Sequence, residues 1–466
     1  MTPFADRVRA LCCRLSGTDA PVSELRRLSG GASMESWYMR HNGQSWILRR
    51  LPEGMTAENS SSRRINPALE MAVVQAAHRA GVQAPEVIGG LLEADQLGEG
   101  FVMSFLPGET LPQKILGKPA FEKALGVLTQ QCAQQLGAIH AIDPADLPQG
   151  LVQQTALDKV DGLAQSYQNS GAQLPLFEQA IHWLRNHLPP SSPPVLLHGD
   201  FRMGNLMVDH EGLAGVLDWE LAHLGDRVSD IAYLCTPSWR FGHYHNTVGG
   251  FGQLQSLLDA YQACTGYSVS DEQVQFWLVF STLLWGVICL GMIESWRQGQ
   301  DSSLERAVIG CRTSETEIDL LLLLEEIMDW PAAQVDWQLP QDMALRGSTD
   351  ATELLTALST WVQQSVVPLS KNYDLFQARV AGNALSIVRR QMLWGPVFEQ
   401  RKQQRRQQLA LGSGAEHAHL CAAIQRGQLD WQTPALVDHL RLDLLERLAI
   451  EQPKYAGFAA AVAKWT

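Results

Sequence analysis

Apolar and polar residues alternate over residues 25–51 around two turn sequences, Ser-Gly-Gly-Ala-Ser and His-Asn-Gly-Gln. A period of two broken by glycine turns predicts an antiparallel meander of three strands. At Asn66 the period changes. Residues 66–81 carry apolar side chains at helical spacing, open with Asn-Pro and close with Gly, which predicts a capped helix. Strand-like runs at 87–92 and 100–106 complete a small lobe of sheet plus one helix. From Phe121 the spacing is helical, over 128–142 and 176–188, with prolines punctuating 189–194. Three brief β-like runs follow, at 195–197, 206–208 and 215–217. They place His198 to Asn205 and Asp218 to Glu220 on loops held by short strands, where catalytic groups are usually found. Helical spacing resumes at Gln253 and runs to Met328.

Residues 330–347 lack periodicity and contain two prolines and a glycine, the composition of a linker, and residues 349–466 are helical in pattern throughout. A chain of 466 residues exceeds what one core accommodates. The expected architecture is α+β: an N-terminal lobe at 1–106, a mainly helical lobe at 107–330, a linker at 331–348 and an all-α C-terminal domain at 349–466. Residues 276–293 form an 18-residue run without a charge, the lower limit for spanning a bilayer. No Lys/Arg cluster flanks it, and Ser281, Thr282 and Gly286 interrupt it, so it reads as the buried centre of a helical lobe and no membrane partner is expected.

Charge and cysteine usage narrow the class. The net charge is −13, and the one dense basic run, at 401–406, resembles the solvated face of a helix, so no nucleic-acid partner is expected. Eight cysteines show no CxxC pair and no His spacing that completes a zinc site. They read as reduced thiols of a cytoplasmic protein. The first 17 residues carry Asp6 and several Arg where an export signal would be apolar. Oligomeric state is left open.

Chemistry concentrates in His198-Gly199-Asp200-Phe201-Arg202-Met203-Gly204-Asn205, followed thirteen positions after Asn205 by Asp218 in Val-Leu-Asp-Trp-Glu. Phosphoryl transfer needs these residue types: an Asp to take the proton of an acceptor hydroxyl, and an Asn with a second Asp as hard oxygen ligands for Mg²⁺ on a triphosphate. The Asp-x4-Asn spacing with a later Asp is the order of kinase catalytic loops. His198 reads as structural, since Asp200 already provides the base. Arg202 is open between two readings: its guanidinium reaches a phosphate or an acidic acceptor, or it pairs with a carboxylate such as Glu220.

These motifs resemble the aminoglycoside phosphotransferase family, which includes choline-kinase-like and other small-molecule kinases. The resemblance extends through Gly225-Asp226-Arg227-Val228-Ser229-Asp230-Ile231-Ala232, with Arg227 where the family has Pro, and covers roughly residues 20–330. In detail it resembles the branch fused to acyl-CoA dehydrogenases in animals. The resemblance implies a bilobal protein-kinase-like fold and an ATP- or GTP-dependent, Mg²⁺-dependent phosphotransferase. In it Asp200 is the catalytic base, Asn205 and Asp218 are metal ligands, and Asp230 braces the catalytic loop. It further implies that Gly30, Gly31 and Ser33 form the phosphate turn, that Arg49 stands where kinases carry a Lys with Glu70 as its helix partner, and that Ser104 and Leu106 form the hinge to the purine, with Met103 at the gatekeeper position.

Acceptor contacts are expected from Arg202, Glu220, Trp239 and Trp296, in segments that also contain Arg240, Arg297, Arg306 and Arg312. Trp and Arg suit an anionic or acyl-bearing hydroxylated acceptor, and the branch resemblance implies a coenzyme A thioester of a hydroxy acid. Two other classes remain: a nucleotide-binding pseudokinase or scaffold, which fits Arg49 in place of Lys, and an aminoglycoside-modifying kinase. The C-terminal segment resembles a helical module found with such kinases in bacteria, through Thr352-Glu353-Leu354-Leu355, residues 378–385 and Gln452-Pro453-Lys454-Tyr455.

Overall fold

The period-two segments form a five-stranded antiparallel sheet in a computed structural model that describes residues 3–28, 34–55, 64–333, 335–340, 349–409 and 416–466. Its strands are β1 (Val22–Arg27), β2 (Glu35–His41), β3 (Gln44–Arg50), β4 (Val87–Gly90) and β5 (Gly100–Ser104), in the order β1-β2-β3-β5-β4. Asn42 and Gly43 both adopt positive φ, 49° and 78°, the backbone that a two-residue hairpin turn demands. That turn sets the β2–β3 register from His41 opposite Gln44 to Glu35 opposite Arg50. Alternation along β3 then sends Trp46 and Leu48 to one face and Ile47 and Arg49 to the other.

Each face of the sheet is covered by a helix. Helix α1 (Phe4–Ser16) places Val8, Leu11 and Cys12 on Met39, Trp46, Leu48, Leu97 and Val102. The sequence reading assigned no element there, although Phe4, Val8, Leu11, Cys12 and Leu15 recur at helical spacing. Helix α2 (Pro67–Arg79) is capped by Asn66, whose Oδ1 accepts from Leu69 N at 2.8 Å, and it buries Glu70, Val73, Val74 and Ala77.

By contacts the chain divides into two units. The first contains residues 1–156, 190–241 and 245–274, and the second contains 157–189, 242–244 and 275–466. The boundaries read from sequence follow element type, whereas these follow packing. Beyond the sheet, the first unit holds α3 (Pro112–Gly117) and α4 (Glu122–His140). Helices α5 (Ala156–Asn169) and α6 (Pro175–Asn186) lie almost wholly in the second unit. The chain then returns to the first for two small antiparallel ladders. Strand β6 (Val195–Leu197) pairs with β9 (His223–Gly225), and β7 (Leu206–Val208) pairs with β8 (Leu213–Val216). The third run expected at 215–217 is thus realised as β8, and β9 carries no pattern of its own. Helix α7 (Val228–Cys235) follows, then α8 (Leu254–Thr265), which packs on α4.

Helix α9 (Asp271–Arg297) contains the uncharged run. It is long and apolar enough to cross a membrane, and 56% of its most apolar window is buried within the protein. Polar Ser281 and Thr282 are buried too, with Thr282 Oγ1 donating to Leu278 O at 2.8 Å. At Gly286 a Cβ would come within 2.3 Å of the Phe177 ring on α6 and 2.6 Å of Thr316, so the glycine permits close helix approach. Helices α10 (Leu304–Ile309), α11 (Thr313–Ile327), α12 (Ala351–Trp361), α13 (Asn372–Gln408), α14 (Glu416–Gln425), α15 (Pro434–Glu451) and α16 (Ala456–Trp465) complete the second unit. Ion pairs join α11 to α15, with Arg441 meeting Glu325 at 2.9 Å and Arg447 meeting Glu317 at 2.6 Å, and the hydroxyl of Tyr455, just before α16, donates to Asp319.

Candidate active site

The loop after β6 is built around Gly199, whose φ is +81° and whose Cβ, were there one, would lie 2.3 Å from Leu221 O. Only glycine fits this turn, which accounts for Gly where protein kinases carry Arg. Asp230 on α7 clamps the loop: its Oδ2 accepts from His198 N at 2.7 Å and its Oδ1 from Gly199 N at 3.0 Å. Burial by itself would raise the Asp230 carboxyl, but the His140 ring 3.6 Å away and the Gly199 N–H hold it down to about 2. His198 is structural. The Asp200 N–H donates to its Nδ1 at 3.2 Å, so Nε2 carries the proton and donates to Leu217 O at 3.0 Å.

Asp200 and Asn205 meet directly. Asn205 Nδ2 donates to Asp200 Oδ2 at 2.6 Å and to Asp200 O at 3.0 Å. Leu217 N donates to Asn205 O at 2.8 Å, which brings Asp218 alongside. Asp218 adopts φ +67°, a left-handed backbone uncommon for a residue with a side chain and typical of a functional turn. Asn205 and Asp218 both line a cavity of about 230 Å³ together with Arg49, Glu70, Ile47, Met103, Ser104 and Leu106. With Nδ2 committed to Asp200, the Asn205 amide keeps its oxygen as the acceptor end.

Arg49 connects the sheet lobe to this loop. Its Nε meets Glu70 at 3.1 Å, and its Nη2 contacts both Asp218 and Glu220, the latter at 3.2 Å. Arg64 also reaches Glu220, at 3.1 Å. Burial disfavours the Arg49 charge, yet Glu70, Asp218 and Glu220 outweigh it and push its pKa up. Glu70 moves the other way. Burial, opposed by Arg49 and reinforced by Asp218 and Glu220, raises it to about 7. The fit to a divalent cation of the Mg²⁺ kind rests on two hard oxygen donors, the Asp218 carboxylate and the Asn205 amide oxygen, both in the lining of the cavity.

Arg202 does not pair with Glu220. It donates Nε to Asp200 Oδ1 at 3.0 Å and stacks its guanidinium 4.9 Å from the centre of the Trp239 ring. Glu220 is instead held by Arg49 and Arg64, so it belongs to the arginine cluster rather than to an acceptor wall. The buried Tyr233 hydroxyl interacts with both Asp200 and Arg202, and burial followed by the Asp200 charge raises its pKa well above that of a free phenol. Tyr233 was not singled out from sequence, although it follows Asp230 by three positions on one short helix.

The hinge differs in detail from expectation. Ser104 spends its N–H on Glu86 O at 2.8 Å, so a base contact from it falls to its carbonyl. Among the described residues no group accepts the Leu106 N–H. Gly30, Gly31 and Ser33 lie outside the described residues. Trp296 belongs to the second unit, where it is 42% exposed near the end of α9. Of the other arginines proposed for the acceptor, Arg240 donates to Cys235 O, and Arg297, Arg306 and Arg312 pair with Glu294, Asp301 and Glu315.

A sheet lobe bearing a buried Arg–Glu pair, with a catalytic-type loop and an Asp turn below it, defines a kinase-like phosphotransferase fold. The chain belongs to the phosphotransferase enzyme family, whose model matches residues 24–267. A second model, described as a domain of unknown function (DUF6285), matches residues 368–455. Among solved structures, a Ralstonia eutropha protein assigned as an aminoglycoside phosphotransferase superposes with a TM-score of 0.56 at 22% identity, covering 69% of this chain and 98% of that one. That likeness establishes the fold. Among curated proteins, acyl-CoA dehydrogenase family member 11 of Gallus gallus is 25% identical over 91% of this chain and 55% of its own length. Acyl-CoA dehydrogenase family member 10 of Mus musculus is 29% identical over 46% of this chain and 20% of its own length. The chain therefore spans between a fifth and about half of these relatives.

Proposed function

We propose that this chain is a kinase that transfers the γ-phosphoryl group of ATP or GTP, with Mg²⁺, to a hydroxyl of a small molecule. The observation that carries this reading is that Asn205, which lines the cavity with Asp218, is hydrogen-bonded at 2.6 Å to Asp200. In that cavity Ile47, Met103 and Leu217 would enclose a purine, and the Leu106 N–H would be available to its ring edge. Asn205 and Asp218 would hold the cation, which neutralises charge on the phosphates. Asp200 orients the acceptor hydroxyl and takes its proton, and Arg49 turns toward the phosphates from Asp218. Catalysis of this kind is positioning and charge stabilisation.

Family membership and fold support phosphotransfer generally. The finer reading, a coenzyme A thioester of a hydroxy acid as acceptor, is supported by the names of the curated relatives and by Trp239 and Arg202 beside the base. All eight cysteines are free thiols, which supports a cytoplasmic setting. The helices after residue 349 act in this reading as an accessory module that closes the core of the second unit.

The test is a mass-spectrometric search for metabolites that gain a phosphate with the native protein and not with Asp200→Asn. Turnover is expected to fall by about 100-fold or more, with nucleotide binding retained. Full turnover by the variant would sink the assignment. A second reading, a nucleotide-binding scaffold without turnover, is favoured by the Arg49 contact with Asp218; it predicts binding of Mg-ATP with no product from any hydroxyacyl-CoA offered.

A further inference from the structure

The carboxylate that takes the acceptor proton is crowded with donors. Asn205 Nδ2 occupies Asp200 Oδ2, Arg202 Nε occupies Oδ1, and the Tyr233 hydroxyl interacts with the same group. Three of the roughly four lone-pair sites of this carboxylate are therefore engaged, and Arg202 lies over the Oδ1 edge. With Oδ2 tied to Asn205, an incoming hydroxyl approaches the oxygen that Arg202 covers. Asn205 is tied to the loop through Asp200 O and through its own N–H to Arg202 O, and Tyr233 is buried on α7, so neither gives way.

Arg202 is placed to move. Its side chain is 28% exposed, and its face rests on the buried Trp239 ring. Its Nη1 passes over Gly204, where a Cβ would come within 2.5 Å. A flat aromatic shelf below and a glycine beside it leave the planar guanidinium a track along which it keeps its stacking while changing its partner.

We propose that Arg202 reads an oxyanion on the acceptor and thereby releases the base. A carboxylate or phosphate carried within reach of the reacting hydroxyl draws the guanidinium along Trp239, and Oδ1 becomes available for the hydroxyl proton. The acceptor class is then a hydroxylated anion with its charge near the hydroxyl, such as a free hydroxy acid in place of its coenzyme A thioester, and a polycationic acceptor is repelled at this point. With no acceptor bound, the occupied Oδ1 also keeps water from being activated. This inference rests on the kinase reading above.

The suppressed side reaction gives the test. In it a water oxygen bonds to the γ-phosphorus, the bond from that phosphorus to the bridging oxygen breaks, ADP and phosphate leave, and the water proton passes through Asp200 to solvent. Acceptor-free hydrolysis of Mg-ATP is measured for the full chain, Arg202→Met and Arg202→Lys, with and without millimolar butanoate, alongside fluorescent-nucleotide binding and melting curves. Arg202→Met is expected to hydrolyse about tenfold faster than the native chain and to ignore butanoate. The native rate rises with butanoate, and Arg202→Lys falls between. An Arg202→Met rate at or below native, with nucleotide affinity unchanged, overturns the proposal and leaves Arg202 a brace for Asp200. A native rate indifferent to butanoate overturns the anion reading. If Arg202→Met does not fold, the lysine variant is judged by the same two comparisons. A native chain that binds no nucleotide sinks the kinase reading, and this proposal with it.

Discussion

Glu70 sits fully enclosed between Arg49 and two further carboxylates, and it titrates near neutrality as a result. Burial is the largest cause, Arg49 opposes it, and Asp218 and Glu220 add to it, giving a value of about 7 against 4.5 for the free side chain. The folded chain thus holds this proton more tightly than the unfolded one. Stability is greatest with Glu70 protonated, falls as pH rises from 4.5 through 7, and levels off above that. Glu70→Gln is expected to remove this slope, on the order of 1–3 kcal/mol across the window, read from urea midpoints at several pH values. An unchanged slope would place the titration elsewhere. At the same scale, the planar fork of Arg49 touches Glu70, Asp218 and Glu220 at once, which a single ammonium on a flexible stem reproduces poorly.

The loop that carries Asp200 and Asn205 shows how short elements hold a candidate site without a large sheet. Strands β6, β7, β8 and β9 are three or four residues long and pair only two by two, so the loop between them relies on side chains for its shape. Asp230 caps two of its N–H groups, and Gly199 supplies the turn. Gly199→Ala is expected to cost about 2–4 kcal/mol, since a Cβ there combines an unfavourable φ with a clash against the Leu221 backbone. Circular dichroism melts and turnover report it together: a fold that survives with turnover lost indicates a displaced Asp200, whereas no change in either refutes the account. Much of this loop was legible, because the Asp-x4-Asn spacing and the later Asp are local features. Helix α1 was legible too, in its apolar spacing, but the stretch carries no motif to draw attention to it.

Across the molecule, the second unit is stabilised by charges buried between α11 and the last helices. Arg441 and Glu325 are 2% and 4% exposed at their side chains, and Lys464 and Trp465 also reach Glu325. Arg441→Ala is expected to cost about 3 kcal/mol by leaving a buried carboxylate short of a partner. Arg185→Ala, at an exposed pair with Asp161, is expected to cost under about 1 kcal/mol. Chemical denaturation of both variants tests the contrast, and equal effects would remove α11 as the anchor. For the same reason the helices after residue 349 belong by packing with α6 and α11, a grouping hidden in a sequence that marks residues 330–347 as a connector.

The sequence by itself determined what depends on neighbours along the chain: strand and helix periods, the Asn-Gly hairpin, the Asn-Pro cap, and the order of Asp200, Asn205 and Asp218. Tertiary structure alone decided which charges meet. Arg49 and Glu220 are 171 positions apart, and Arg202 had two carboxylates, at 200 and 220, within plausible reach along the chain. Ion pairing follows distance in space and the cost of leaving a buried charge unpaired, and neither quantity is written in local spacing.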